Sequence, residues 1–270
     1  MKGAILCPVD LASPAPRVVA LASVLARARG ARVILFHATD PRDGDPGAAG
    51  RLEALAAALG SGGIPVDTAM EEGEPVPAIL EYATRVDLVV MGTHGGRGVE
   101  RMLLGSVAER VLDHAPCPVA TVREASPGAI TRIVCGVDLV DAAPLGAAVA
   151  LARETGAEVI ALHAVAEAPE EGRHSLVPAS YAPSLLAEAR ERLEAAIAAL
   201  GETGVRIRGS VVPGRAHRQL VRRAAEESAS LVVVGVHPHL FGGTAHRVVR
   251  EAECPVLTVR GAPASEESYR

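Results

Sequence analysis

The chain has no tryptophan, two phenylalanines and three tyrosines among its 270 residues. Proteins that hold single-stranded nucleic acid commonly stack its bases on aromatic rings, and this chain has too few rings for that. A net charge of −5 argues further against any polyanion as its main partner, so no nucleic acid is expected. Lysine is nearly missing as well: Lys2 is the only one, and arginine carries the rest of the positive charge. No apolar run approaches the roughly 20 residues needed to cross a bilayer, and the run from Ala4 to Leu6 is too short for a signal peptide, so no membrane association is expected. A soluble, cytoplasmic protein is the expectation. The cysteines Cys7, Cys117, Cys135 and Cys254 form none of the close pairs typical of zinc sites and read as buried, reduced thiols. His237, His239 and His246, with no carboxylate close by, make a weak case for a metal. There is no G-x-x-x-x-G-K-[ST], G-x-S-x-G or H-E-x-x-H, so neither a P-loop lysine nor a nucleophile elbow is available, and no catalytic residue is assigned.

What the chain does contain is aliphatic mass and a repeat. Hydrophobic residues make up 49% and charged residues 22%, which suits a packed core of Ala, Val, Leu and Ile. GAILCPVD (Gly3 to Asp10) returns as TRIVCGVD (Thr131 to Asp138), and ARVILFHA (Ala31 to Ala38) returns as AEVIALHA (Ala157 to Ala164). VDLVVMG (Val86 to Gly92) matches ASLVVVG (Ala229 to Gly235), and CPVATVR (Cys117 to Arg123) matches CPVLTVR (Cys254 to Arg260). Four matches in one order imply a tandem duplication, with domains over 1–125 and 130–262 and a linker around Ser126-Pro127-Gly128.

Short Val/Ile/Leu runs without polar alternation predict strands covered on both faces, as in a parallel sheet. Between them, Val18, Leu21, Ala22 and Leu25 keep the i, i+3, i+4, i+7 spacing of a helix. The order β-α-β-α-β-α-β-α-β, twice, predicts an α/β protein with two tandem Rossmann-like, doubly wound parallel sheets. In the first half, strands are expected near 3–9, 32–38, 64–70, 87–92 and 118–123, and helices near 14–29, 48–60, 75–85 and 106–115. Residues 40–50 and 166–183, rich in Pro, Gly and charge, read as surface loops, and the second could equally be a lid.

The stretch LVVMGTHGGRGVERMLLGSVAERVLDHAPCPVATVR (Leu88 to Arg123) predicts strand, glycine-rich loop, helix N-terminus and closing strand. Such an arrangement suits phosphate, because unpaired first-turn amides and the positive end of the helix dipole face the loop. In an open α/β sheet the ligand lies beyond the strand ends where the strand order reverses, which would put Asp10 and Gly92 on one crevice. Gly92 and Gly95 would let the chain turn, Arg97 and Arg101 could contact phosphate oxygens, and Asp10 could accept ribose hydroxyls. Each residue also has a plainer reading. Ser106 and Glu109 form S-x-x-E, a capping box in its own right. Asp10 could cap the helix that follows, His94 could be a solvent-facing turn residue, and Arg97 and Arg101 could simply be solvated.

Together these residues resemble the universal stress protein family in its tandem form. The family's ATP-binding pattern G-x2-G-x9-G-[ST] is matched in full by Gly92, Gly95, Gly105 and Ser106. The resemblance implies ATP, with Mg²⁺ carried by the triphosphate, and it implies Pro8, Val9 and Asp10 near the adenosine and Ala38 beside the adenine. It also implies contacts to ribose or phosphates from Met91, Gly92, Gly95, Gly105, Ser106 and Val107, with His94 and Arg97 in the same loop. The family's sheet order is 3-2-1-4-5, and its members pair through the last strand. The resemblance therefore implies that the two halves pair with each other through Val119–Val122 and Val256–Val259; a homodimer and a protein partner also stand as expectations.

The second half departs from the pattern. Pro238 stands at the second glycine, the loop after Gly235 is shorter, and Gly243 falls where the serine should be. A weak or empty second site is expected, with Asp138 left as a relic or a helix cap. The leading functional reading is an ATP-binding stress-response protein with at most slow hydrolysis. The alternatives are a nucleotide-independent dimerising interaction module and a phosphotransferase that would need His94 or Glu100 near the γ-phosphate.

Overall fold

The computed structural model describes residues 3–11, 16–39, 45–93, 104–123, 127–166, 182–236 and 243–261. The first half runs β1 (Ala4–Pro8), α1 (Pro16–Arg29), β2 (Arg32–Thr39), α2 (Ala48–Gly60), β3 (Val66–Glu72), α3 (Pro75–Ala83), β4 (Leu88–Gly92), α4 (Ser106–His114) and β5 (Val119–Val122). The second repeats it: β6 (Arg132–Gly136), α5 (Ala143–Thr155), β7 (Glu158–Val165), α6 (Ala182–Ala198), β8 (Ile207–Pro213), α7 (Ala216–Glu226), β9 (Leu231–Val236), α8 (Thr244–Glu251) and β10 (Val256–Arg260). Most of the expected loop segments at 40–50 and 166–183 lie outside the described residues.

All ten strands join one sheet, in the order β3-β2-β1-β4-β5-β10-β9-β6-β7-β8. Each half therefore has the 3-2-1-4-5 order, and the two meet at β5 and β10. Pairing is parallel within each half and antiparallel at that seam, with Thr121 opposite Val256, Ala120 opposite Leu257 and Val119 opposite Thr258. The last strands of both halves thus lose their open edges to one another.

The central strands are buried on both sides because both faces carry helices. Ile5 and Cys7 of β1 point into one core with Leu21 of α1, Leu52 of α2, Leu145 of α5 and Leu193 of α6. Ala4 and Leu6 point into the other, with Ile79 of α3, Val111 of α4, Leu220 of α7 and Val248 of α8. The helical stripe read from the sequence is fully used: Val18, Leu21, Ala22 and Leu25 are all buried. Among the described residues, no helix is long and apolar enough to cross a membrane.

Polar groups tie the seam as well. The Thr121 hydroxyl donates to the Val256 carbonyl at 3.3 Å, and the Thr258 hydroxyl donates to the Val119 carbonyl at 3.0 Å. The Arg260 guanidinium donates to the carbonyls of Asp113 and Ala115 at the end of α4, where a helix presents partial negative charge. His246 Nε2 of α8 lies 2.9 Å from Asp113 Oδ1. One of the three histidines considered as metal ligands therefore faces a carboxylate at the seam; His237 and His239 lie outside the described residues.

Candidate functional site

At the carboxyl edge of the first half, β1 lies between β2 and β4, the place where the strand order reverses. The chain leaves β1 as Pro8, Val9 and Asp10, with Val9 buried and Asp10 exposed. The Val9 amide donates to the Phe36 carbonyl at 2.9 Å, so β1 and β2 stay in register to the rim. On β2, Ala38 is half-buried at that rim. Helix α1 is described from Pro16, and residues 12–15, where its N-terminal boundary with the Asp10 segment falls, lie outside the described residues.

Met91 and Thr93 are buried at the end of β4, with half-buried Gly92 between them. The Gly105 amide donates to the Thr93 carbonyl at 2.8 Å, which fixes the start of α4 directly over the end of β4. Gly105 is the N-cap: its backbone is extended, its carbonyl accepts from the Glu109 amide at 2.9 Å, and it has no side chain to cap with. Ser106 is consequently the first helical residue, and the S-x-x-E capping box read from the sequence does not form. Gly105 offers no side-chain cap to the first-turn amides of α4, the Ser106 side chain is exposed beside them, and Val107 packs on the core below. His94, Gly95, Arg97, Glu100 and Arg101 lie outside the described residues.

One residue of this rim escaped the sequence reading. His37 Nδ1 lies 2.9 Å from the Val9 carbonyl; since a carbonyl only accepts, Nδ1 carries the hydrogen and Nε2 is the ring's remaining polar atom. His163 does the same to the Val137 carbonyl at 2.7 Å in the second half. The signal was present, because both copies of the second-strand repeat end in His-Ala.

In the second half, the Asp138 carboxylate accepts from the amides of Val140 and Asp141, both at 2.9 Å. That is a local turn. It is not a helix cap, since the N-cap of α5 is Ala142. The expectation at Gly243 also needs correction. Gly243 is the N-cap of α8 and the helix begins at Thr244, so a hydroxyl does occupy the first helical position, as Ser106 does in α4. The helix starts one residue later than matching from the Cys-Pro end implied. Pro238 and Gly242 lie outside the described residues.

Among the described residues, no group of three or more His, Cys, Asp or Glu could hold a metal ion. The cysteines are all free thiols, with Cys7 and Cys135 fully buried and Cys117 and Cys254 partly so.

Comparison with known proteins agrees with this architecture. The model of the universal stress protein family matches residues 1–123 and again 129–260. A universal stress protein of Thermus aquaticus is 38% identical over 133 residues, 44% of this chain and 97% of that one. One from Mycobacterium bovis is 31% identical over 202 residues, 69% of this chain and 66% of its own length. Among solved structures, a universal stress protein from Archaeoglobus fulgidus superposes with a TM-score of 0.72 over 97% of both chains, at 18% identity, a likeness of fold. The repeated match, one copy on each half of the ten-stranded sheet, means that this chain belongs to the universal stress protein family.

Proposed function

We propose that the first half binds ATP, with Mg²⁺ carried by the triphosphate, and that its occupancy serves as a regulatory or protective signal in the stress response. The observation that carries this reading is the seating of α4. Gly105 as N-cap and its 2.8 Å bond to Thr93 put a helix N-terminus whose N-cap has no side chain at the rim beside β1, where an anion gains most from the amides and the dipole. The intact spacing Gly92, Gly95, Gly105, Ser106 supports it. In this reading Pro8, Val9, Asp10 and Ala38 surround the adenosine, and Met91, Gly92, Gly105, Ser106 and Val107 take the ribose and phosphates. His94, Gly95 and Arg97 complete the loop.

The domains, 1–125 and 130–262, then divide the labour: the first carries the nucleotide and the second serves as its structural partner. The protein works in the cytoplasm and signals to a protein partner, either as one chain or as a homodimer. With no P-loop lysine in the sequence, hydrolysis is slow.

The test is calorimetric titration of nucleotide-free full-length protein with Mg-ATP, alongside Gly105→Leu. One site per chain, lost in G105L with the fold intact, is expected. Binding that survives G105L would place the nucleotide elsewhere, and no binding by the wild type would favour a nucleotide-independent interaction module. Turnover at about 1 per second or faster, the range of dedicated enzymes, would contradict a signalling role.

A further inference from the structure

The sheet ends on β3 in the first half and on β8 in the second, and the two edge strands are built differently. Val33 and Val159 hold the same place in the repeat, and they pair with Val66 and Ile207, so β3 and β8 correspond one to one. Three acids stand on β3, Asp67, Glu71 and Glu72. At those places β8 has Arg208, Val212 and Pro213, and Glu227 meets the Arg208 charge at 3.0 Å. Exposed charge is an ordinary deterrent to pairing between edge strands, and β8 has lost most of it. Among the described residues nothing pairs with its outer side, which leaves a row of backbone donors and acceptors open.

Beside that edge a cleft of about 330 Å³ runs between α6 and β8, lined by Leu193 and Ile197 of α6 and by Ile207, Gly209 and Val211 of β8. In the first half the same place is tied shut. The spacing that matches Val66 to Ile207 also matches buried Leu52 of α2 to buried Leu193, Glu53 to Glu194 and Thr68 to Gly209. The Thr68 hydroxyl donates to the Glu53 carboxylate at 2.8 Å and holds α2 to β3. Gly209 has no hydroxyl, so Glu194 loses that bond. Arg190, one helical turn before Glu194, lines the cleft with it and stands where the first half has Ala49. Both side chains are exposed, and neither makes a hydrogen bond or ion pair among the described residues.

A two-fold contact between identical chains brings one residue to a second and that second to the first. A base and an acid one turn apart on a helix, beside an apolar cleft and an open strand edge, are complementary to their own copy in that arrangement. We propose that this edge binds a second copy of the chain. Strand β8 pairs antiparallel with β8 of the other copy, α6 lies along α6, and Arg190 of each chain reaches Glu194 of the other over the closed cleft. The two ten-stranded sheets become continuous. This contact is separate from the seam of β5 and β10, which is used up within each chain. It does not depend on nucleotide, so its absence would leave the proposed ATP site standing.

The experiment is sedimentation velocity of full-length, nucleotide-free protein at rising concentration. Wild type is compared with Arg190→Glu, Glu194→Arg, the double reversal and Gly209→Thr. An interface of one strand pair and one helix pair is small, so the chain of 27.7 kDa should pass to twice that mass within the micromolar range. Each single reversal sets like charges together and should weaken association tenfold or more, while the double reversal should recover it. G209T returns to Glu194 the partner that Glu53 has, and should also weaken association. A Cβ at Gly209 stands 3.3 Å from Ile197 and 3.5 Å from Leu193, side chains that yield readily, and the exposed charge reversals report on association even if G209T packs poorly. Wild type that stays at the mass of one chain would overturn the proposal, as would association unchanged by either single reversal or a double reversal no better than the singles. Growth beyond the dimer would overturn it too, since it would mean a head-to-tail contact.

Discussion

Thr121 and Thr258 face the seam between the two halves as a reciprocal pair: each hydroxyl donates to a carbonyl of the other half, Thr121 to Val256 and Thr258 to Val119. Both side chains are buried, and they occupy matching positions of the repeat CPVATVR/CPVLTVR. The seam is therefore joined by side chains as well as by the antiparallel ladder.

Replacing either threonine by valine keeps the shape and removes one buried hydrogen bond. Each of T121V and T258V is expected to lower stability by about 1 kcal/mol, read as a shifted urea midpoint. An unchanged midpoint in both would mean the hydroxyls contribute nothing to holding the halves together.

Glu158 at the start of β7 accepts from Arg132 at 2.5 Å, and Arg208 lies 3.8 Å away. The bond from Arg132 is the main reason its carboxyl titrates below the ordinary range, with Arg208 and Arg206 adding to the effect. A carboxyl depressed in the folded chain stabilises it above the unfolded value, near 4.5, and that contribution fades as pH falls through the lower folded value. E158Q should be less stable than wild type at neutral pH and should converge on it in acid. Parallel stability curves down to low pH would refute the linkage.

Burial pushes His217 below its ordinary imidazole range. Its sign is opposite to the case of a histidine that gains a partner. As pH falls below about 6.5 the unfolded chain takes up the proton first, so stability drops toward the lower folded value. H217V should remove this loss. Identical pH profiles for wild type and H217V would show that the ring is not desolvated as described.

Desolvation raises the thiols of Cys117 and Cys254 to about 11 and that of Cys7 to about 12, and it raises Cys135 further still. Thiolate is the reactive form, so at pH 8 the folded protein should react slowly with a disulfide reagent at all four positions, and rapidly once unfolded. Fast reaction of Cys7 in the native protein would show that β1 opens readily.

The one-dimensional order of residues determined the duplication, the parallel strand order within each half and the positions of Gly92, Gly105 and Ser106, because strand and helix periodicities are local and both repeats spell them out. The seam between the final strands was implied by the family resemblance and not by any local pattern of the chain. What it could not decide were relations between residues distant in the chain or differing by one step of helix register. Whether Ser106 or Gly105 is the N-cap depends on which carbonyl accepts the first helical bond, and the Gly105–Thr93 contact settles that in space. Whether His246 of α8 meets Asp113 of α4 depends on the two halves joining at β5 and β10, and no local pattern records it. Fold follows from repeated local preferences; the placing of charge around a site follows from which helices the sheet makes neighbours.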